Sequence, residues 1–120
     1  MQIELKGRNV PVTDELREMV AKRFRKISAQ VSDLARMEIE ISEEQNPANP
    51  ARQVVSATLF LKGATLRAQD ADRDLRHALN LCEEELSRQV KRHREKRMKR
   101  REARSARTGD ALGGGGVPAV

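Results

Sequence analysis

Aromatic residues are almost missing from this 120-residue chain, which has two Phe, no Tyr and no Trp. A core must therefore be built from Leu, Ile, Val, Met and Ala, and it will be small. A surface that reads single-stranded nucleic acid by stacking bases on rings is excluded for want of rings. The single cysteine, Cys82, rules out an intramolecular disulfide and fits a reducing compartment. No apolar run approaches the ~20 residues that cross a bilayer. The opening MQIELKGRNV has no apolar signal core, so the expected location is cytoplasmic.

Enzyme signatures are missing too. The glycines Gly113 to Gly116 lack the strand, helix and Lys-Ser/Thr of a phosphate loop. His77 and His93 are the only histidines, too far from Cys82 in sequence to suggest a zinc site. Cys82 lies on an apolar helical stripe with nothing nearby to activate it, so it reads as core. Asp70, Asp72 and Asp74 form a DxDxD string without the Gly and distal Glu of a calcium loop. Helix capping, by Asp70 or Asp72, explains them better. The expectation is a non-enzyme with no catalytic residue, no metal and no cofactor. There is no internal repeat.

What the chain does have is concentrated charge. The net charge is +6. From Arg88 to Arg107 there are 11 Lys or Arg against two acidic residues, Glu95 and Glu102. Residues 1–87 carry 13 basic and 15 acidic residues. A cation block confined to one helical stretch, LSRQVKRHREKRMKRR over residues 86–101, marks a polyanion partner. A membrane-surface helix wants large apolar groups opposite its charges, and beyond Val90 this run offers only Met98. Nucleic acid is the better partner, and no membrane contact is expected.

Along the chain, Gln2 to Gly7 alternates and predicts a strand. Arg8-Asn9-Val10-Pro11 predicts a turn, and Thr13 an N-cap followed by favourably placed Asp14, Glu15 and Glu18. Leu16, Val20, Phe24, Ile27 and Val31 fall within about an 80° arc at helical spacing, predicting one helix over 14–31. Met19 and Arg23 flank that arc, while Lys22, Arg25 and Lys26 point away from it. Met37, Ile39 and Ile41 alternate with Glu38, Glu40 and Ser42, a strand with an acidic outer side. Glu44 to Ala51, with two prolines and two asparagines, predicts a loop. A third strand is expected near 53–62 and a fourth over Thr65 to Gln69, with Gly63 turning the hairpin between them. The second helix carries Leu75, Leu79, Cys82, Leu86 and Val90 on one face, with Arg88, Lys91 and Arg92 opposite. Its apolar stripe fades after Val90, so the basic end is expected to project from the body.

The predicted order is β-α-β-β-β-α: an α+β domain of two layers, with two helices on one face of a four-stranded, mainly antiparallel sheet. The arrangement is reminiscent of double-stranded-RNA-binding domains at the level of fold. Residues 1–102 form the expected domain and 103–120 an expected disordered, glycine-rich tail. Arg and Lys on two helix faces can span phosphates of a folded RNA, Arg bidentately and Lys as a point charge. Such a surface reads backbone shape and charge, which suits structured RNA. The candidates from face geometry are Lys22, Arg25, Lys26, Arg88, Lys91, Arg92, Arg94 and Lys96. A general RNA- or DNA-binding module, or an adaptor whose basic helix docks an acidic protein, fits the same charges.

Several stretches resemble a known family, that of ribosome hibernation promoting factors and ribosome-associated translation inhibitors. MQIELKGRNVPVTDELREMVAKRFRKI looks like its first strand, its turn (Gly7, Asn9, Val10) and its first helix with Thr13, Leu16 and Arg17. Ala68 to Asp74 and Leu75 to Leu79 resemble the entry to its second helix. Leu86-Ser87-Arg88-Gln89-Val90-Lys91-Arg92-His93 resembles its L-x-R-Q-L-x-K-H segment. The likeness covers about residues 1–100. It implies the same β-α-β-β-β-α fold. It also implies binding to the small ribosomal subunit and its ribosomal RNA, in the tRNA and mRNA channel near the decoding site. Competition with tRNA and mRNA would then inhibit translation under stress or in stationary phase. By position, Arg23, Lys26, Arg88 and Arg92 match basic residues that contact ribosomal RNA in the family. Where the family's second helix commonly opens D-M-Y-x-A-I-D, this chain has Asp74-Leu75-Arg76-His77-Ala78-Leu79-Asn80. Arg76 replaces the tyrosine and is expected to add a phosphate contact. Glu85 is acidic where the family often has Lys. Long members carry a second domain that pairs ribosomes. With the sequence ending at Val120, the expectation is a short form, or the N-terminal domain and linker of a longer one, monomeric when free.

Overall fold

The computed structural model describes the backbone of residues 1–46 and 49–113, and side chains outside 45–51 and 104–120. Its elements are β1 (Gln2–Arg8), α1 (Asp14–Arg23), α2 (Arg25–Gln30), β2 (Arg36–Asn46), β3 (Asn49–Leu61), β4 (Ala64–Asp72) and α3 (Leu75–Gly113). The strands form one sheet in the order β1-β2-β3-β4. β1 pairs parallel with β2, and the other two pairings are antiparallel. The expected two-layer α+β architecture is present.

Alternation along each strand decides which face is buried. Met37, Ile39 and Ile41 lie opposite Leu59, Ala57 and Val55, and Ala57 and Leu59 in turn face Ala68 and Leu66. The residues between them, Glu38, Glu40 and Thr58, take the opposite face and are half-buried. There Arg8 pairs with Glu40 at 3.7 Å and Arg36 with Glu38 at 3.9 Å. Arg36 also lies 4.6 Å from the Phe60 ring centre, a cation–π contact. The helices supply the second layer through Leu16, Val20, Phe24 and Ile27, and through Ala78, Leu79, Cys82 and Leu86, all buried. Two bonds fasten α3 over β4: the Cys82 thiol to the Ala68 carbonyl at 3.6 Å, and Gln89 Nε2 to the Arg67 carbonyl at 2.6 Å.

The turns carry their chemistry locally. Asn9 has φ 61° in the turn after β1, a conformation Asn tolerates. A Cβ on Gly7 would stand 2.1 Å from the Val10 carbonyl oxygen, so this close approach needs glycine. Gly63, at φ 80°, turns the β3–β4 hairpin, with Leu61 paired to Ala64. Thr13 caps α1, its Oγ1 accepting from the Leu16 N–H at 3.1 Å. Thr13→Ala is expected to lower stability by about 1 kcal/mol in urea denaturation. An unchanged midpoint would mean that water replaces the cap at no cost.

Four expectations need correction. The helix expected over 14–31 is two helices, because Phe24 leaves the helical region at φ −95°, ψ 9°. Phe24 N still donates to Val20 O and Ser28 N to Phe24 O, each at 3.0 Å, so helical hydrogen bonding carries across the break. Phe24 and Ile27 both lie in the core, each 0% exposed. Second, the loop expected over Glu44 to Ala51 is mostly strand: Glu44 pairs with Arg52 and Asn46 with Asn49, across a register shift. Residues 47 and 48 lie outside the described residues. Third, α3 starts at Leu75, and its cap is Asp74, whose Oδ1 accepts from the Arg76 N–H at 3.0 Å. Asp72 instead holds the Asp74 N–H, at 3.0 Å, and Asp70 lies within β4. Fourth, α3 continues through residues 103–113, the first part of the tail expected over 103–120. Residues 114–120, with most of the glycine run, lie outside the described residues.

The chain divides into two compact units, Met1–Gln89 and Val90–Val120. No helix among the described residues is long and apolar enough to cross a membrane.

Candidate nucleic-acid interface

Within the first unit, three of the candidate cations meet. Lys22 and Arg23 stand at the C-terminal end of α1, where cations complement the helix dipole. Arg76 stands in the first turn of α3. All three line one cleft of about 620 Å³. Their side chains are exposed, while Leu79 beneath them is buried. Nearby cations raise the local potential, so an anion entering the cleft meets charge from two helices at once.

The break at Phe24 separates the other two α1-side candidates from this group. Arg25 and Lys26 open α2, are exposed, and do not line the cleft. Arg88, on α3, is also exposed, but part of its charge is already engaged. Its guanidinium lies 3.7 Å from Glu85, one helical turn away. Arg88 also acts on Asp70. Burial pushes the Asp70 carboxyl above the ordinary carboxylate range, Glu85 pushes it further, and Arg88 pulls it back. In the second unit Lys91, Arg92, Arg94 and Lys96 are all exposed on α3.

Sequence reasoning missed the other walls of the cleft: Glu15, Glu18, Met19 and Leu79. A signal was there. Glu15, Met19, Lys22 and Arg23 recur at helical spacing along one flank of α1, beside the apolar arc. Reading Glu15 and Glu18 as partners of the helix dipole hid that they share a flank with the cations.

The remaining chemistry-bearing residues have structural work. Burial raises the Cys82 thiol to about 12, with Asp70 adding to the shift, so it stays protonated and unreactive. His77 Nδ1 lies 2.8 Å from Asp72 Oδ2. The Asp72 carboxyl is held below its ordinary range first by the Asp74 N–H and then by His77. Among the described residues, no group of three or more His, Cys, Asp or Glu gathers to hold a metal.

Residues 3–98 match the family model described as sigma 54 modulation protein / S30EA ribosomal protein. The chain belongs to this S30EA family. Among its relatives is a ribosome hibernation promotion factor of Lactococcus lactis, 29% identical over 94% of this chain and 60% of that protein. The ribosome hibernation promoting factor of Azotobacter vinelandii is 26% identical over 85% of this chain and 91% of its own length. The S30EA chain thus spans nearly all of one relative and under two thirds of the other. The solved N-terminal domain of Thermus thermophilus Protein Y has the same fold at TM-score 0.68 and 26% identity, covering 78% of this chain and 99% of that domain. A ribosomal subunit interface protein from Coxiella burnetii shares the fold at TM-score 0.65 and 22% identity, covering 79% of this chain and 99% of its own.

Proposed function

We propose that this S30EA-family chain is a ribosome hibernation factor. It binds the small ribosomal subunit in the tRNA and mRNA channel near the decoding site, holds ribosomal RNA through phosphates, and inhibits translation by occlusion under stress or in stationary phase. It works in the cytoplasm and is monomeric when free. The observation that carries this reading is the meeting of Lys22, Arg23 and Arg76, from two helices, in one cleft. Arg25, Lys26 and Arg88, then Lys91, Arg92, Arg94 and Lys96, extend the cationic contacts along α2 and α3. The match to the S30EA family and the names of the relatives support the ribosome as target.

The lining of the cleft favours a shaped target over any polyanion. Glu15 and Glu18 stand in it beside the cations. On a featureless duplex those carboxylates would only repel, so they penalise loose docking. With roughly six to eight phosphates neutralised, log K should fall against log salt with a slope between about −4 and −7. Sedimentation with small subunits, across a salt series and with or without bound tRNA, tests both parts. Binding should weaken steeply with salt and disappear once tRNA fills the channel. Undiminished binding to tRNA-filled subunits would rule out occlusion, and equal competition by free duplex RNA would return the chain to a general RNA-binding role.

A further inference from the structure

The cleft between α1 and α3 is polarised along its length. Glu15, Glu18, Met19, Lys22 and Arg23 line its α1 side at helical spacing. Glu15 and Lys22 are seven residues apart, which is roughly 10 Å along a helix. Carboxylates stand at one end. At the other, Arg76 of α3 joins the two α1 cations, and Met19 and Leu79 add apolar lining. A sugar-phosphate backbone alone offers the acidic end no row of hydrogen-bond donors to meet.

We infer that this cleft seats one guanine nucleotide. Its phosphate lies against Lys22, Arg23 and Arg76, and its base lies over the partly exposed Met19. The far edge of the base meets Glu15 and Glu18. The distance between the charged ends is comparable to the reach of one nucleotide from phosphate to base edge. The volume of about 620 Å³ falls within the ordinary range for such sites.

The choice of base follows from what a carboxylate can do. It only accepts hydrogen bonds, so it needs donors side by side. Guanine presents N1–H next to its 2-amino group, two adjacent donors on the Watson–Crick edge. Adenine and cytosine present one amino group beside a ring nitrogen whose lone pair repels a carboxylate. Uracil presents one N–H between two carbonyls. The same guanine chemistry belongs to an unstacked residue of a folded RNA and to a free guanine nucleotide. The inference rests on reading the three cations as phosphate contacts, and it does not require the ribosome.

Backbone amide NMR of the full chain, titrated in turn with GMP, AMP, CMP, UMP and inorganic phosphate, tests it. GMP should bind at least about tenfold tighter than the other nucleotides, the discrimination expected of a two-donor contact. Its shifts should reach Glu15, Glu18 and Met19. The Glu15→Gln/Glu18→Gln double variant should bring GMP down to the level of AMP and leave the phosphate response at Lys22 and Arg23 intact. A second arm separates the sources. Kethoxal attacks guanine at N1 and the 2-amino group, so a guanine of ribosomal RNA held here should be protected by the wild type and exposed again by the double variant. Discrimination among free nucleotides, with or without such protection, supports the site, as does variant-dependent protection by itself. Equal response to all four nucleotides together with no variant-dependent protection overturns it. If the chain fails to sediment with ribosomes, the proposed function falls while the nucleotide titration still decides this point.

Discussion

Reversing the charge of Lys22, Arg23 and Arg76 together should abolish co-sedimentation with the small ribosomal subunit at physiological salt. Each exposed phosphate contact is worth about 1 kcal/mol, so removing three costs about 100-fold in affinity, and the reversed charges add repulsion. Neutralising the same three residues to Ala should flatten the salt slope by about two to three units. The fold should survive, because all three side chains are exposed and none of the charged residues is buried among the described ones. Arg25→Glu/Lys26→Glu on α2 and Arg88→Glu/Arg92→Glu on α3 are the comparisons that locate the centre of the interface. A cleft triple variant that sediments like the wild type, while either of the other pairs does not, would move that centre out of the cleft.

Arg88 illustrates why charge alone overstates a site. In sequence it is one more cation in a run. In the folded chain it lies 3.7 Å from Glu85 and pulls down the half-buried Asp70 carboxyl that partial burial and Glu85 push up. A phosphate must compete with both carboxylates for it, so its replacement should cost less than that of Lys22 or Arg76.

Strands and buried faces were legible because alternation is a local signal. Met37, Ile39 and Ile41 could face the core in only one way, and their partners in β3 follow from the same rule. The extension of β2 and β3 was not legible. Two prolines and two asparagines between Glu44 and Ala51 look like a loop. Yet β1 pairing ends at Ser42 and β4 pairing ends at Gln53. Beyond those points the described residues of β2 and β3 pair only with each other, and at such an edge the missing donor of Pro50 is tolerated. The cap of α3 was misplaced for a similar reason. Three aspartates at alternate positions are equivalent in sequence, and only the end of β4 decides which of them stands at the start of the helix.

The cleft lay between these cases. The α1 residues that line it share a helical flank, which periodicity can show. Their meeting with Arg76 depends on how α1 and α3 pack on the sheet, which no local pattern encodes. The break at Phe24 was equally hidden. The sequence around it, Lys22-Arg23-Phe24-Arg25-Lys26, has no Gly or Pro to announce it. At the break stands a large buried ring, that of Phe24.

That ring carries the largest expected effect on stability. Phe24 is 0% exposed, among the largest side chains of a core with few aromatics. Phe24→Ala should cost about 3–5 kcal/mol, the sum of lost burial and the cavity left behind. Whole domains of this size are stable by about 5–15 kcal/mol, so the variant should be largely unfolded or melt far below the wild type. Phe24→Leu keeps most of the volume and should cost less, about 1–2 kcal/mol. The two variants also separate packing from charge. Phe24 stands between Arg23, which lines the cleft, and Arg25, which opens α2. A folded Phe24→Leu chain keeps every cation, yet the break between the two sets is no longer packed by a ring. It should therefore bind small subunits more weakly at an unchanged salt slope, whereas loss of a phosphate contact would reduce the slope. Urea denaturation followed by circular dichroism measures the first effect, and sedimentation across a salt series the second. A Phe24→Ala midpoint within about 1 kcal/mol of wild type would mean that the core closes over the missing ring.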